Sequence, residues 1–171
     1  NPDFFVDTHT TDGADYQYVL TYSLETGPNT DSSLGKYLRE NYIPTMEAYM
    51  SEKGYKVFPY VNFKQWHDPR SALYSLSASA MLSHGYVAAR NRPALLIETH
   101  MLKPYKLRVS STLELLFFTL KHLNDHYRDY LQINRQADTY TSSADFRPFP
   151  LKFNFITSNT DSVMVDFEGY D

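Results

Sequence analysis

Four consecutive apolar residues, Ala94 to Ile97, run straight into a carboxylate, and no other stretch narrows the fold of this chain as much. Opened by Pro93 and followed by Glu98, Thr99 and His100, the run reads as a buried strand that carries polar chemistry to its end. A carboxylate there is costly to bury unless it is paired or functional, so Glu98 is either an ion-paired structural residue or a catalytic one. A second segment of this kind lies near the amino terminus. Phe4, Phe5 and Val6 read as strand residues, Asp7 and His9 follow two apart, and Thr10 to Gly13 break into polar turn residues. The two-residue period of a strand points Asp7 and His9 to one side and places His9 at the strand's mouth. Open α/β sheets collect their chemistry at the carboxyl ends of strands. A histidine and a glutamate delivered there from distant parts of the chain are raw material for a metal hydrolase, although a lone histidine after a strand is more often a hydrogen-bonded turn residue.

Between these segments the pattern predicts a strand over Tyr16 to Ser23, a loop over Leu24 to Ser33 around Gly27, Pro28 and Asn29, and a helix over Leu34 to Ser51. Leu34, Tyr37, Leu38, Tyr42, Met46, Tyr49 and Met50 form its apolar stripe, a core-packing pattern. Ser32 or Ser33 caps it, Pro44 kinks it and Gly54 ends it. Val57-Phe58 and Tyr60 to Phe63 read as short strands around Pro59, which argues for an edge or a bend, and Trp66 to Arg70 as a turn. The serine-rich run Ser75 to His84 either lines a cleft or forms a tight loop. The longest helix is expected over Val109 to Leu131, after the Pro104 turn, with Leu113, Leu116, Phe117, Leu120, Leu123, Tyr127 and Leu131 as its stripe. His122 and His126 lie one turn apart on it. That spacing suits a metal, but no His-Glu-x-x-His pattern is present, and a solvated face is the simpler reading. A boundary falls near Gln136. Ala137 to Arg147 is turn-rich, and Phe149 to Ile156 and Ser162 to Phe167 alternate as strands.

Phe5 to Tyr18 and Gly85 to Arg108, above all Ile97-Glu98-Thr99-His100-Met101-Leu102-Lys103-Pro104-Tyr105-Lys106, resemble the second half of a zinc metallocarboxypeptidase of the carboxypeptidase A type, in its bacterial branch. The likeness runs over roughly residues 3 to 130. The resemblance implies that His9 is the third zinc ligand, Glu98 the catalytic base, and Asp7 a hydrogen-bond partner of the His9 ring. It also implies that a tyrosine upstream of the base, Tyr74 or Tyr86, contacts the substrate's terminal carboxylate. The substrate would be a peptide or a cell-wall-type peptide amide cut near a free carboxylate, and an extracytoplasmic location is favoured. The fold class that follows is α/β, part of a mixed sheet covered by helices over residues 1–136. A linker and the first strands of a β module would follow over 137–171.

The family's first two zinc ligands come from a His-x-x-Glu motif upstream of the third. The residues three positions after the histidines of this chain are Asp12, Arg70, Val87, Lys103, Asp125 and Asp129, so the motif is missing. The chain therefore reads as a fragment of a longer enzyme. It is expected to hold zinc weakly or not at all, to lack peptidase activity alone, and to self-associate through an uncovered sheet edge. Two alternatives stand beside this. One is an inactive relative that binds peptides or glycans, and the other a structural role in which Glu98 pairs with Arg92 or Arg108. With 171 residues, 16 % aromatics and a net charge of −4, the chain can bury a core and carries no basic excess for nucleic acid. No apolar run is long enough for a membrane helix, and zero cysteines exclude disulfides. No signal-peptide pattern opens the sequence, which in a fragment fixes nothing.

Overall fold

The computed structural model describes residues 2–11, 15–65, 68–146 and 164–169. Within them the apolar run becomes the central strand of a mixed sheet. Seven strands and helices build the unit around it: β1 (Phe5–Thr11), β2 (Leu20–Leu24), α1 (Ser32–Tyr37), α2 (Ile43–Glu52), β3 (Val57–Pro59), β6 (Ala94–His100) and α4 (Tyr105–Thr141). The hairpin β4 (Asn62–Gln65) and β5 (Asp68–Tyr74) and the short helix α3 (Ser83–Ala88) are inserted before β6. The sheet order is β1-β6-β2-β3, with β1 parallel to β6, β6 antiparallel to β2, and β2 parallel to β3. The protein is thus α/β with a mixed sheet packed against helices. β1 and β3 are the two edges, and Pro59 ends β3, where its missing N–H costs no ladder bond.

The two-residue period of β6 divides its side chains between two environments. Leu95 and Ile97 join Leu20, Tyr22 and Leu24 of β2 in one core with Leu34, Leu38, Tyr42, Met46 and Met50. These last five recur every four residues and are fully buried, which explains why Ser32 to Glu52 coils as it does. Each buried side chain of this size contributes about 1.5–3 kcal/mol. The cap of this helix is Asp31, not Ser32 or Ser33. The Asp31 carboxylate accepts the N–H groups of Ser33 (2.9 Å) and Leu34 (3.2 Å). Pro44 cannot continue an α-helical ladder, and the chain meets it with one wide turn over Leu38–Tyr42, in which the Ile43 N–H reaches back to the Leu38 carbonyl. Gly54 ends α2 at φ +79°.

Other expectations need correction. β5 starts at Asp68 and takes in Arg70, so Trp66 to Arg70 is not a single turn. α4 runs on to Thr141 with a break at His126, so a turn-rich stretch does not begin at Ala137. Its buried stripe is Ser111, Leu115, Thr119, His122, Tyr130, Asn134 and Ala137, whereas Leu113, Phe117, Leu120 and Tyr127 are exposed. The core side of α4 is matched to its neighbours by specific bonds, Thr119 to the Tyr42 hydroxyl (2.7 Å) and Asn134 to the Asp3 carbonyl (2.9 Å). Residues 164–169 are not a strand. Phe167 packs on Phe58 and Tyr18 at 5.3 and 5.5 Å, and the Gln17 N–H donates to the Glu168 carbonyl, which draws this segment onto β2 and β3. The strand expected over 149–156 lies outside the described residues. Among the described residues no helix is long and apolar enough to cross a membrane.

Candidate active site

The side chains that alternate with the core face the other way, onto the less covered side of the sheet. In-register pairing of β1 with β6 sets His9 opposite Glu98 and Asp7 opposite Leu96. Paired residues share a face, and His9 Nδ1 lies 3.8 Å from Glu98 Oε1. Asp7, two residues earlier, meets the other ring nitrogen, with Oδ1 3.1 Å from Nε2. Its second oxygen accepts the Ser83 hydroxyl at 2.5 Å. The Ser83 hydroxyl, then the adjacent His9 and the Thr8 N–H, hold the Asp7 carboxyl below its usual range, against the opposing effect of burial. The imidazole is therefore oriented by a carboxylate that is itself fixed. β1 extends beyond His9 to Thr11, so His9 sits in the strand body and is reached from the face, not at the strand's mouth. Its side chain is 54 % exposed, against 12 % for Glu98.

These residues share a cleft of about 730 Å³ whose opposite wall is the serine-rich run between Ser75 and His84. That run is held close by α3. A Cβ at Gly85 would stand 2.2 Å from the Ser79 carbonyl, so only glycine lets the helix start there and aim Ser83 at Asp7. Tyr60 and Asn62 close one side of the cleft. Tyr60 follows β3 directly, its N–H bonded to the Tyr22 carbonyl at 2.7 Å. The strand-end reasoning applied to Glu98 would have found it. Tyr74 and Tyr86 lie elsewhere. Tyr74 pairs with Asn62 in the β4–β5 hairpin, and Tyr86 is half exposed beneath Arg90.

Deeper in the cleft His84 is buried, its Nε2 3.7 Å from Glu25 Oε1. Burial pushes its pKa down, and the Glu25 charge opposes this only in part. Glu25, just after β2, carries no sequence signal, whereas His84, at the start of α3, ends the serine-rich run that reads as a candidate cleft lining. His100, by contrast, is structural. Its Nδ1 accepts the Leu102 N–H at 3.2 Å and its Nε2 faces Asp15 at 3.2 Å. His122 is no solvated-face residue. It is buried against Tyr42 and Phe118, and desolvation, with His126 beside it, lowers its pKa to about 4.

The arginines that the structural alternative pairs with Glu98 have other partners. Arg92 grips Asp138 with two bonds of 2.9 and 2.7 Å, and Arg108 donates to the Lys103 carbonyl. The arrangement around Glu98 suits proton transfer in a cleft that admits water and an extended ligand. It does not make a complete zinc site. Among the described residues no three histidine, cysteine or acidic side chains are gathered to hold a metal. No protein-family model, no curated protein and no solved structure matches the chain.

Proposed function

We propose that this chain supplies the His9–Glu98 half of the active site of a zinc-dependent carboxypeptidase acting on a peptide or peptide-like amide near a free carboxylate. The observation that carries the reading is the in-register pair itself. The two residues that the resemblance marks as ligand and base lie 3.8 Å apart on the cleft side of the sheet. Zinc, where bound through His9 and two ligands from outside the described residues, would supply Lewis acidity to the amide carbonyl.

The chain's own contribution is proton handling and orientation. A Glu98 carboxylate oxygen takes the proton of the attacking water and returns it to the departing amine nitrogen, acting first as base and then as acid. Asp7 holds the His9 ring by Nε2 and leaves Nδ1 toward Glu98 and the cleft. Ser83 fixes Asp7 in turn.

The test uses the intact enzyme carrying this chain. Glu98→Gln keeps shape and hydrogen-bonding reach but cannot take a proton, so turnover on a carboxyl-terminal peptide substrate should fall by roughly two to four orders of magnitude with zinc content unchanged. His9→Ala should instead lose metal. A fully active Glu98→Gln enzyme would end the assignment. On the 171-residue chain alone, metal analysis should find less than one zinc per molecule.

A further inference from the structure

Helix α4 breaks at His126, whose φ of −121° and ψ of 15° leave the helical range, and no nearby proline or glycine accounts for it. Beside the break, His122 is packed among Tyr42, Phe118 and Tyr130, with ring centroids 5.2, 5.6 and 5.9 Å away. Its Nε2 is buried with no hydrogen-bond partner among the described residues. The His126 ring stands 4.5 Å from it, centroid to centroid. The two rings are unequal hosts for a proton. One on His126 is met by water and by Asp129, whose Oδ2 lies 3.5 Å from Nδ1. One on His122 is met by neither. The charged groups of α4 that act on it are His126, Asp125 and Lys121, of which the last two are bonded to each other at 2.6 Å. The elements packed against it present Tyr42 and, behind Tyr130, Tyr37, both uncharged because burial holds their hydroxyls protonated.

Past the break, residues 127–141 clamp the two strands that carry the site. Asn134 Nδ2 donates to the Asp3 carbonyl at 2.9 Å, Tyr130 packs edge-on against Phe4 at 5.7 Å, and Asp138 and Thr141 accept Arg92 and Asn91. Asp3 and Arg92 lie just before β1 and β6 begin. These are the strands that bring His9 and Glu98 together.

We infer that the break at His126 is an acid-operated hinge: when His122 as well as His126 is protonated, α4 opens there and the arm of residues 127–141 releases the starts of β1 and β6. Two imidazolium rings at this separation repel, and opening gives His122 the water that its packed site denies. Burial first, and then His126, hold the closed ring to a pKa of about 4, against about 6.5 for an open one, so the open form gains on the closed form as pH falls through that interval. From pH 7.5 to 4.5 the opening equilibrium should rise roughly 70-fold. The hinge governs the His9–Glu98 pair whatever reaction that pair performs.

Amide hydrogen exchange on the 171-residue chain, read as protection factors at pH 7.5 and 4.5, tests this. Residues 127–141 should lose protection roughly 70-fold at the lower pH, while residues 34–50 stay within about threefold. The Phe5 amide, bonded to the Pro93 carbonyl, should follow the arm. A loss spread equally over residues 34–50 is global unfolding and overturns the hinge, as does full protection of 127–141 at pH 4.5. A Phe5 amide that stays protected while the arm opens overturns the release of the strands. His122→Leu keeps the bulk of the ring without a titrating group, and should bring the two pH values within about threefold of each other in 127–141. An undiminished loss in that variant overturns the role of this ring. Should the variant not fold, the His122 ring resonances of the wild-type chain decide. They should titrate near 4, and a midpoint close to 6.5 shows that the closed chain carries the proton without penalty and overturns the hinge.

Discussion

On one face of β6, Leu95 and Ile97 meet Leu34, Leu38, Tyr42, Met46 and Met50 with water excluded. On the other, Leu96 and Glu98 share a cleft with Asp7, His9 and Ser83. The same seven residues serve both, because a strand alternates its side chains. Stability is therefore concentrated on the first face, where contacts are apolar and many. Chemistry is free to occupy the second, where a charged residue is reached by water. The comparison implies that substitutions on one side leave the other nearly unmoved.

The strongest challenge to that division is a pair of variants. Met46→Ala removes a fully buried side chain from the centre of the helix stripe and should cost about 2–5 kcal/mol, read as a lower urea midpoint at unchanged slope. Asp7→Ala on the cleft face loses only partly exposed polar bonds and should cost roughly 1 kcal/mol. If the two losses came out equal, the faces would not be independent. A smaller effect probes the helix-covered side by pH. His122 is depressed to about 4 by burial, against about 6.5 when unfolded, so the folded state resists a proton that the unfolded state accepts. Its contribution is complete above pH 6.5 and is lost as pH falls toward 4, about 3 kcal/mol in all. Urea melts at pH 7.5 and 4.5 should show this loss, and His122→Leu should reduce it. The smallest effect lies at the rim of the core. Asp31→Ala removes the cap of α1 and should cost about 1 kcal/mol by thermal melting, with no change at the cleft.

The helix stripe from Leu34 to Met50 was legible because a four-residue spacing is a local property of sequence. α4 was not, although its pattern looked as clear. Leu113, Phe117 and Leu120 satisfy the same spacing and yet lie outside, while Ser111, Thr119, His122 and Asn134 turn inward. An apolar count cannot tell which of two helix faces meets the sheet, since that choice depends on partners such as the Tyr42 hydroxyl and the Asp3 carbonyl. At the site, the side-by-side placing of Asp7 and His9 followed from strand period. The pairing of His9 with Glu98 did not, because register between two strands so far apart is set by the whole sheet. The serine-rich run ending at His84 was legible as a candidate cleft wall, but the contacts of Ser83 with Asp7 and of His84 with Glu25 were not, for a related reason. The loop between β5 and α3 places the start of α3 against Asp7 and Glu25, and loop geometry leaves little trace in hydropathy. The pairing of Arg92 with Asp138 sets it aside as the partner of Glu98 in the structural alternative. Arg92 lies just before Glu98's strand in sequence, at the end of that strand opposite Glu98.

The pairing of β1 with β6 also sets an order of events in time. Contacts across it, such as Thr10 with Thr99, close a loop of 89 residues, whereas β2 finds β3 and α2 within a much shorter span. Closing a loop of that length costs on the order of 4 kcal/mol of chain entropy before any contact repays it, and chains rich in such contacts fold slowly. A species with α1, α2, β2 and β3 already assembled, but with β6 not yet in the sheet, would hold much of the apolar core and no His9–Glu98 pair. The His9–Glu98 pair is thus expected to form late in refolding, after much of the tyrosine fluorescence change is over.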